Sequence, residues 1–336
     1  MVISRSLAIP KKRAQAAKTA LMALGLLRND LRPDRDGDTV LLPISDGEYA
    51  GEGRLCEHDF AASAKKAKSY RDLAQVPAEA KRLLPRAYDV IGKVVVIKIP
   101  DELALYRVEI GRALLSARPE ARSVAEDRGV QGGQRIRELE VIAGEPDLET
   151  VHIEHGLRFC LDPSKVYFSP RLATERLRVA GLVGRGETVL DMFAGVGPFA
   201  IHIAKRAGPA RVFAVDMNPA AIGYLKKNIK LNKVANVEPM LIDACLLPGK
   251  IPPVDRIIMN LPHSAFGFLP VALGLLKPGG TIHLYDIIPG QRRQARKEEV
   301  ELAVKEAGRM LSSSGQKLVR GYSAAESHFV FDLSVD

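Results

Sequence analysis

Strand-like and helix-like segments alternate regularly from about residue 185 to the end of the sequence. Apolar, β-branched runs predict strands at residues 188–192, 211–216, 237–242, 255–260 and 281–285. Helical patterns lie between them at 198–207, 219–231 and 266–276. Strands that alternate with helices in this way form a parallel sheet with helices on both faces. After a helix at about 291–311, residues 316–320 and 328–333 predict an antiparallel hairpin at the sheet edge. We therefore expect an α/β, doubly wound C-terminal domain.

The rest of the chain divides by its charge. Residues 1–36 hold eight Lys and Arg against three Asp, residues 37–60 hold six acidic residues against one Arg, and residues 61–86 hold seven basic residues against two acidic ones. Such blocks indicate either solvated faces or separate basic modules. We predict three domains: a small module at 1–60, a mixed α+β domain at 61–172 and the Rossmann-like domain at 173–336.

Local patterns inside the first two predicted domains are less regular. They predict a helix at 14–27, a strand at 39–44, a half-buried hairpin at 88–99 and a helix at 102–117. The glycines at 47, 51 and 53 indicate a loose stretch before a boundary near residue 60. The polar, glycine-bearing residues 124–133 are interpreted as a mobile loop.

Composition narrows the partners and the compartment. The chain has 336 residues, a net charge of +9 and a pI near 9.4, which favours a polyanionic partner. Aromatic residues are sparse at 5%, so a nucleic-acid surface would depend on Arg and Lys. Three widely separated cysteines indicate a reducing compartment and form no metal-ligand spacing. No apolar run approaches a membrane span, and we expect a cytoplasmic monomer without a bound metal.

A glycine-rich turn follows the first strand of the alternating region. The sequence VLDMFAGVGPF at 189–199 leads from a strand through Gly195 and Gly197 into a helix that begins with Pro198. Glycines at these positions allow the backbone to approach a ligand closely. With Ala200 they also satisfy the G-x-G-x-x-[GA] dinucleotide pattern. The turn by itself is therefore compatible with NAD and with S-adenosylmethionine.

Three acidic residues at strand ends separate these cofactors. Asp191 precedes the turn, where it would repel a pyrophosphate but can face a positively charged sulfonium. Asp216 ends the second strand, where it can bind ribose hydroxyls, and Asp243 ends the third, where it can accept from an adenine amino group. Each Asp alone is equally consistent with a helix cap or a turn. Together with the turn, they predict the Rossmann-like sheet of a class I S-adenosylmethionine-dependent methyltransferase.

The fourth strand ends in Asn260-Leu261-Pro262. This sequence is either a strand-end turn or a device that aims an amide and a backbone carbonyl at a nucleobase edge. No Cys lies beside it, since Cys245 follows the third strand. Methylation of pyrimidine C5 needs a thiolate nucleophile. The sequence therefore favours methylation of a base nitrogen.

Several motifs occur in an order that is typical of one enzyme family. They are RIREL at 135–139, KVYFSPRL at 165–172, Glu175-Arg176, DMFAGVGPF at 191–199 and NLP at 260–262. Together they resemble the archaeal and eukaryotic tRNA (guanine-37-N1)-methyltransferases over essentially the whole chain. The resemblance implies methyl transfer from S-adenosylmethionine to N1 of guanosine 37 in the tRNA anticodon loop.

The resemblance also implies roles for individual residues. Glu175 matches the general base that removes the N1 proton of guanine. Arg135 matches an arginine that stabilises negative charge on O6, and Asn260 would orient the base. The expected cofactor contacts are Tyr167, Phe168, Arg171, Arg176, Asp191, Phe193, Gly195, Gly197, Asp216, Met217, Asp243, Ala244, Asn260 and Pro262.

The N-terminal module is expected to contact the outer corner of the tRNA, as it does in this family. Lys11, Lys12, Arg13 and Lys18 are placed for this contact; we call them the N-terminal basic cluster. Phosphate contacts of this kind weaken steeply with salt.

Three alternatives stay open on the sequence. A wyosine-pathway relative would transfer an aminocarboxypropyl group from the same cofactor or methylate a second position. A non-catalytic RNA-binding protein would keep a vestigial Rossmann domain, although the intact acids and Asn260 speak against it. An NAD-dependent enzyme would share the glycine turn.

Overall fold

The computed structural model describes residues 2–62, 69–131, 136–206, 208, 211–323 and 325–336. The chain forms two compact units, Met1–Ser69 and Tyr70–Asp336. Among the described residues no helix has the length and apolar character needed to cross a membrane.

The first unit is an antiparallel sheet with one helix. Its elements are β1 (Val2–Pro10), a 3-10 turn (Lys11–Arg13), α1 (Ala14–Ala23), β2 (Asp34–Asp36), β3 (Thr39–Pro43) and β4 (Arg54–Phe60). The strand order is β2-β3-β1-β4. Leu21 of α1 packs on Leu7 and Leu42 of the sheet, and all three are buried. Strand β3 is confirmed, whereas β1 and β4 are findings that the sequence patterns did not predict.

Helix α1 is shorter than predicted. It ends at Ala23 because Gly25, at φ +69°, turns the chain, and Leu27 then forms a β-bridge with Ile44. Leu26 and Leu27 therefore pack on the core between α1 and the sheet and do not continue the helix, while Leu24 is exposed.

The second unit begins with a mixed α/β layer. Its elements are α2 (Tyr70–Leu73), α3 (Ala78–Leu83), β5 (Asp89–Ile91), β6 (Val94–Ile97), a 3-10 turn (Asp101–Tyr106), α4 (Arg107–Ala117), β7 (Ser123–Gln131) and β8 (Ile136–Gly144). They form a sheet of order β5-β6-β7-β8, in which the β5–β6 hairpin is confirmed. Strands β6 and β7 are parallel, so α4 is their crossover connection.

The predicted mobile loop at 124–133 is wrong for residues 124–131, which form β7; residues 132 and 133 lie outside the described part. Val124 and Ala125 are fully buried, and Glu126, which made the segment look polar, forms an ion pair with Arg107 of α4. The register of β7 against β8 shifts between Asp127 and Val130, next to Gly129. A bulge of this kind uses glycine without ending the strand.

The remainder of the second unit contains the predicted doubly wound sheet. The hairpin β9 (Thr150–Glu154) and β10 (Leu157–Leu161) and helix α5 (Ala173–Leu182) precede it. The alternating elements are β11 (Thr188–Asp191), α6 (Pro198–Arg206), β12 (Arg211–Asp216), α7 (Pro219–Asn232), β13 (Val237–Leu241), β14 (Val254–Met259), α8 (Leu269–Leu275), β15 (Leu276–Pro289), α9 (Arg293–Glu306), β16 (Leu311–Gly321) and β17 (Glu326–Val335).

Strand order in this sheet is β13-β12-β11-β14-β15-β17-β16. The first five strands are parallel, and β17 is antiparallel to both neighbours, which confirms the predicted fold class and its terminal hairpin. Val189 and Leu190 pack into different cores on opposite faces, and both are fully buried because helices cover each face. The order reverses between β11 and β14, and ligands bind beyond the carboxyl ends of strands at such a switch point.

Two asparagines of α7 complete the outer edge of β10. Asn232 accepts from the Arg158 amide at 2.8 Å and donates to the Arg158 carbonyl at 2.7 Å. Asn228 does the same with the amide and carbonyl of Cys160, at 2.7 and 3.1 Å. Four residues along a helix advance by about 6 Å and two residues along a strand by about 6.7 Å. The side chains therefore match the spacing of a strand's hydrogen-bonding groups.

Candidate active site

A cavity of about 320 Å³ lies at the carboxyl ends of β11 to β14. Its lining combines residues before the Rossmann-like sheet, the glycine turn and the three following strand ends. It is lined by Tyr167, Phe168, Arg176, Met192, Phe193, Ala194, Gly195, Pro198, Phe199, Asp216, Met217, Asn218, Ala221, Ile242, Asp243, Ala244, Asn260, Leu261, Pro262, Ser264 and Phe268.

The glycine turn is held by the neighbouring strand. Gly195 has φ +55° and donates its backbone N–H to Asp216 Oδ2 at 2.7 Å. Gly197 has φ +86°, and a Cβ there would overlap with the buried Leu225 side chain of α7. Gly195 therefore lines the cavity, whereas Gly197 allows α6 to pack closely on α7.

The three predicted acids occupy different environments. Asp191 is buried behind the cavity wall, accepts from the Ala200 backbone N–H at 3.2 Å, and burial raises its pKa to about 7. Its Oδ1 has no hydrogen-bond partner in the described structure. Asp216 lines the cavity, and burial raises its pKa as well. Asp243 is exposed, lines the cavity and caps the following turn through the Cys245 amide at 2.9 Å.

Arg176 brings a buried positive charge to the cavity. It is 2% exposed, pairs with Glu154 Oε2 of β9 at 2.5 Å and donates to the Ser169 carbonyl at 2.9 Å. The other oxygen of Glu154 lies 2.9 Å from His202 Nε2 of α6. Burial would raise the pKa of Glu154, but the hydrogen bonds from His202 and Arg176 lower it. The Ser169 carbonyl and the Glu154 carboxylate, which His202 contacts in turn, thus fix the Arg176 guanidinium.

Asn260 and Pro262 extend the cavity beyond β14. The Oδ1 atom of Asn260 is buried and has no hydrogen-bond partner among the residues that the structure describes. A buried amide oxygen without a partner costs free energy, which a donor on a ligand would recover. Phe268 lies beside this end of the cavity, with its ring 5.0 Å from that of Phe193 in an edge-to-face arrangement. The pair supplies an apolar wall.

Glu175 is close to the cavity in sequence but does not line it. The side chain is 5% exposed and accepts from Tyr285 Oη at 2.8 Å and from Arg178 at 2.6 and 2.9 Å. Arg178 also pairs with Asp332 of β17 at 2.9 Å. A carboxylate offers about four lone-pair sites; these three donors occupy three of them, and Lys317 Nζ lies 3.9 Å from Oε2, on which the fourth remains.

Other predicted residues lie apart from the cavity. Arg171 forms an ion pair with Asp89 of β5 at 2.6 Å and does not line the cavity. Arg135 lies outside the described residues. The structure thus brings together Tyr167, Phe168, Arg176, Phe193, Gly195, Asp216, Met217, Asp243, Ala244, Asn260 and Pro262, and leaves Arg171, Glu175, Asp191 and Gly197 outside the lining.

Several lining residues were not predicted. Asn218 had a readable signal, because Asn followed by Pro begins helix α7 as a cap, with the side chain accepting from Ala220 at 2.9 Å. Phe268 had none, since it follows an irregular turn and approaches only through the fold. Five of the rest are next to predicted residues in the sequence: Met192, Ala194, Pro198, Ile242 and Leu261. The other three lie two to four residues away from them: Phe199, Ala221 and Ser264.

Comparison with known proteins adds three family matches. The TRM5/TYW2 methyltransferase domain matches residues 150–311, the TYW2 N-terminal domain matches 71–147, and the tRNA methyltransferase 5 N-terminal domain matches 7–48.

Individual relatives resemble the chain over most of its length. The tRNA (guanine(37)-N(1))-methyltransferase Trm5b of Pyrococcus abyssi is 40% identical over 330 residues, 97% of this chain and 98% of the relative. A solved complex of aTrm5 with tRNALeu superposes with a TM-score of 0.70 and 33% identity, covering 98% of this chain and 99% of the other. The tRNA(Phe) (4-demethylwyosine(37)-C(7)) aminocarboxypropyltransferase of Pyrococcus horikoshii is 31% identical over 78% of this chain and 93% of its own.

Proposed function

Because this chain belongs to the TRM5/TYW2 methyltransferase family, we propose that it transfers a methyl group from S-adenosylmethionine to N1 of guanosine 37 in tRNA. The observation that carries this function is the meeting, in one cavity, of the Gly195 turn and Asp216 with the unpartnered amide oxygen of Asn260. We also expect the protein to act as a monomer in the cytoplasm.

The cavity residues fit S-adenosylmethionine. Asp216 would bind the ribose hydroxyls, the exposed Asp243 the adenine amino group, and Arg176 would offer its buried positive charge to a carboxylate. The buried, unpartnered Oδ1 of Asp191 places negative potential behind the wall, which favours a cation over a pyrophosphate. When bound, the cofactor supplies a methyl group that needs no further activation, so positioning of the base contributes much of the rate.

Asn260 would orient the guanine. The structure buries its Oδ1 at the cavity end where Leu261, Pro262 and Phe268 form an apolar wall. Such a wall excludes water, and hydrogen bonds in a dry site are stronger than in solvent. The amide can accept from a base N–H with Oδ1 and donate with Nδ2.

Glu175 would take the N1 proton. Tyr285 and Arg178 fix its carboxylate with three hydrogen bonds, and an N–H donor would take the remaining lone pair on Oε2, to which Lys317 Nζ comes no closer than 3.9 Å. N1 of guanine is protonated at neutral pH, so its lone pair becomes nucleophilic only as the proton leaves. Arg135 would stabilise the charge that then grows on O6.

The first unit would hold the tRNA away from the target. Within the N-terminal basic cluster, Lys11 and Lys12 are exposed on the 3-10 turn before α1, while Arg13 forms an ion pair with Glu52. Exposed lysines without a carboxylate partner suit phosphate binding. We propose that this cluster contacts the outer corner of the tRNA.

A second function is favoured by one observation. Residues 71–147 match the N-terminal domain of TYW2, and an aminocarboxypropyltransferase is 31% identical over most of this chain. Both reactions would use the same cavity and differ in the carbon of the cofactor that is transferred. Cofactor labelled on the methyl group or on the carboxyl carbon distinguishes them, because only one label enters the tRNA in each reaction.

The deciding experiment measures transfer of labelled methyl to tRNA transcripts with guanosine or adenosine at position 37. Label in the guanosine transcript alone, recovered as 1-methylguanosine, establishes the reaction. Glu175→Gln should lower the single-turnover rate by about 10²-fold or more. Asp332→Asn is the matched control, because it disturbs the same Arg178 network without removing the base. An equal loss in both variants would reject Glu175 as the base.

A further inference from the structure

His263 occupies a strained position at the mouth of the cavity. It follows the Asn260-Leu261-Pro262 sequence and lies exposed between Pro262 and Ser264, which both line the cavity. Its backbone has φ +74°, in the left-handed region that non-glycine residues seldom adopt. Strain of this kind persists only where surrounding contacts hold it, and it concentrates at functional sites.

The contacts that hold this turn come from β15 and α9. The buried carboxylate of Asp286 interacts with the His263 backbone, and burial raises the pKa of Asp286. Arg296 Nε lies 2.9 Å from Asp286, and the Arg296 guanidinium lies over the Phe266 ring at 4.5 Å. The His263 backbone is thus fixed from beneath while its ring faces outward.

The His263 ring meets an aromatic and basic surface from the β16–β17 hairpin. Its centroid lies 5.5 Å from that of Tyr322 at an interplanar angle of 74°. The Arg320 guanidinium lies 5.5 Å from the Tyr322 centroid, and the buried Arg320 Nε has no hydrogen-bond partner among the described residues. Tyr322 remains 43% exposed. We call these three residues the mouth platform.

The topology places this platform beside the target position. The carboxyl ends of β14 and β15 and the adjoining ends of β16 and β17 lie on one edge of the sheet, where β15 and β17 continue from the level of the Met259–Leu284 pair, at which β14 ends, to the Pro289–Glu326 pair. The amide oxygen of Asn260 and the ring of His263 are therefore separated by only two residues of chain at this edge.

We propose that the mouth platform binds the nucleotide that neighbours the methylated guanosine, with its base stacked on the Tyr322 ring, which His263 contacts edge to face, and its phosphate paired with Arg320. This inference rests on the proposed function. Extruding the target base into a pocket breaks its stacking with its neighbours, and aromatic side chains replace such stacking for any base sequence. The Arg320 guanidinium lies 5.5 Å from the Tyr322 centroid and supplies a positive charge for the phosphate beside the stacked base.

The test combines protein variants with tRNA transcripts that carry an abasic residue on the 5′ or the 3′ side of guanosine 37. Tyr322→Leu removes the ring, and Tyr322→Phe keeps it as the matched control. His263→Asn removes the imidazole but keeps a residue that tolerates a left-handed backbone. The dissociation constant and KM for each transcript are measured alongside the affinity for S-adenosylhomocysteine.

Removal of the stacked neighbour should weaken binding to the wild-type protein by about tenfold for one of the two abasic transcripts. In Tyr322→Leu the ring on which the neighbouring base stacks is already gone, so the same abasic transcript should bind only slightly more weakly than the complete transcript. Tyr322→Phe should behave as the wild type. Affinity for S-adenosylhomocysteine should not change.

Equal abasic losses in the wild type and in Tyr322→Leu would overturn the inference, as would no loss with either transcript. Those results leave the proposed function intact if the wild type still methylates the complete guanosine 37 transcript. Absence of methylation of that transcript would instead refute the proposed function.

Discussion

Replacing Glu154 by glutamine should destabilise the second unit more than any single change at its two partners. Arg176 is 2% exposed, and in Glu154→Gln its charge loses the carboxylate and keeps a neutral amide oxygen, the Ser169 carbonyl and the faces of Phe168 and Phe199. Removing one member of a buried ion pair costs about 3–5 kcal/mol because the other charge is left uncompensated. We expect that range for Glu154→Gln.

Replacing Arg176 instead of Glu154 should cost less stability, so the two partners of the ion pair are not equivalent. In Arg176→Met the carboxylate of Glu154 still has His202 at 2.9 Å. A hydrogen bond to a charged group contributes roughly 1.5–3 kcal/mol, so this variant should lose less than Glu154→Gln. The double variant Glu154→Leu/Arg176→Met removes both charges and should recover most of the stability. It should not recover affinity for the cofactor.

Urea unfolding followed by ellipticity measures these free energies, since the chain contains no Trp. Because hydrogen bonds keep the pKa of Glu154 low in the folded protein, its contribution is present above about pH 4 and is lost as the pH falls further. A loss below about 1 kcal/mol for Glu154→Gln, or a larger loss for Arg176→Met, would refute the reasoning.

Three further predictions concern the cavity wall, the glycine turn and the tRNA. Burial raises the pKa of Asp191 to about 7 in the folded protein, so between about pH 4 and pH 7 the group is ionised in the unfolded chain but protonated in the folded one. The free energy of unfolding therefore falls as the pH rises through this range. At pH 8, Asp191→Asn should therefore raise the melting temperature of the cofactor-free protein while weakening S-adenosylmethionine binding; a lower melting temperature contradicts this. Gly197→Ala should cost at least about 3 kcal/mol in urea unfolding because its Cβ overlaps with Leu225, whereas Gly195→Ala should cost about 1–2 kcal/mol for its left-handed backbone alone. Equal losses would show that packing on α7 is not the reason for the glycine. Replacing both exposed lysines of the N-terminal basic cluster, Lys11 and Lys12, by glutamine should raise the KM for tRNA and leave the single-turnover rate unchanged. It should also reduce the slope of log affinity against log salt concentration by about two. An unchanged KM would exclude this cluster from the tRNA contact.

The sequence predicted the doubly wound sheet well because local and tertiary preferences agree there. Strands β11, β12 and β14 are buried on both faces, so they appear as short apolar runs, and the bounds of all four strands from β11 to β14 fall within two residues of the prediction. The prediction for β7 was wrong because local and tertiary preferences disagree there. Glu126 is 5% exposed, and besides the nearby Arg128 its charge is compensated by Arg107, which is distant in sequence. Compensation of that kind leaves no trace in a local pattern.

The candidate site shows the same division. Residues attached to a strand end, such as Asp216 and Asn260, were predictable because the sheet topology fixes where a strand end lies. Glu175 was named only from the family resemblance. Its partner Tyr285, and Asp332, which pairs with its helix neighbour Arg178, come from the far end of the chain. Contacts of such long sequence separation depend on the completed fold.

The asparagine pair on α7 has an evolutionary consequence. Because Asn228 and Asn232 meet successive outward-facing residues of β10, one inserted or deleted residue between them would rotate one amide by about 100° around the helix. Both its donor and its acceptor would then be lost together, and the backbone of β10 would be left unpaired at an edge that invites intermolecular strand pairing. The spacing of these two positions should therefore be free of insertions and deletions among homologues, whereas the chain beyond Asn232 can vary in length.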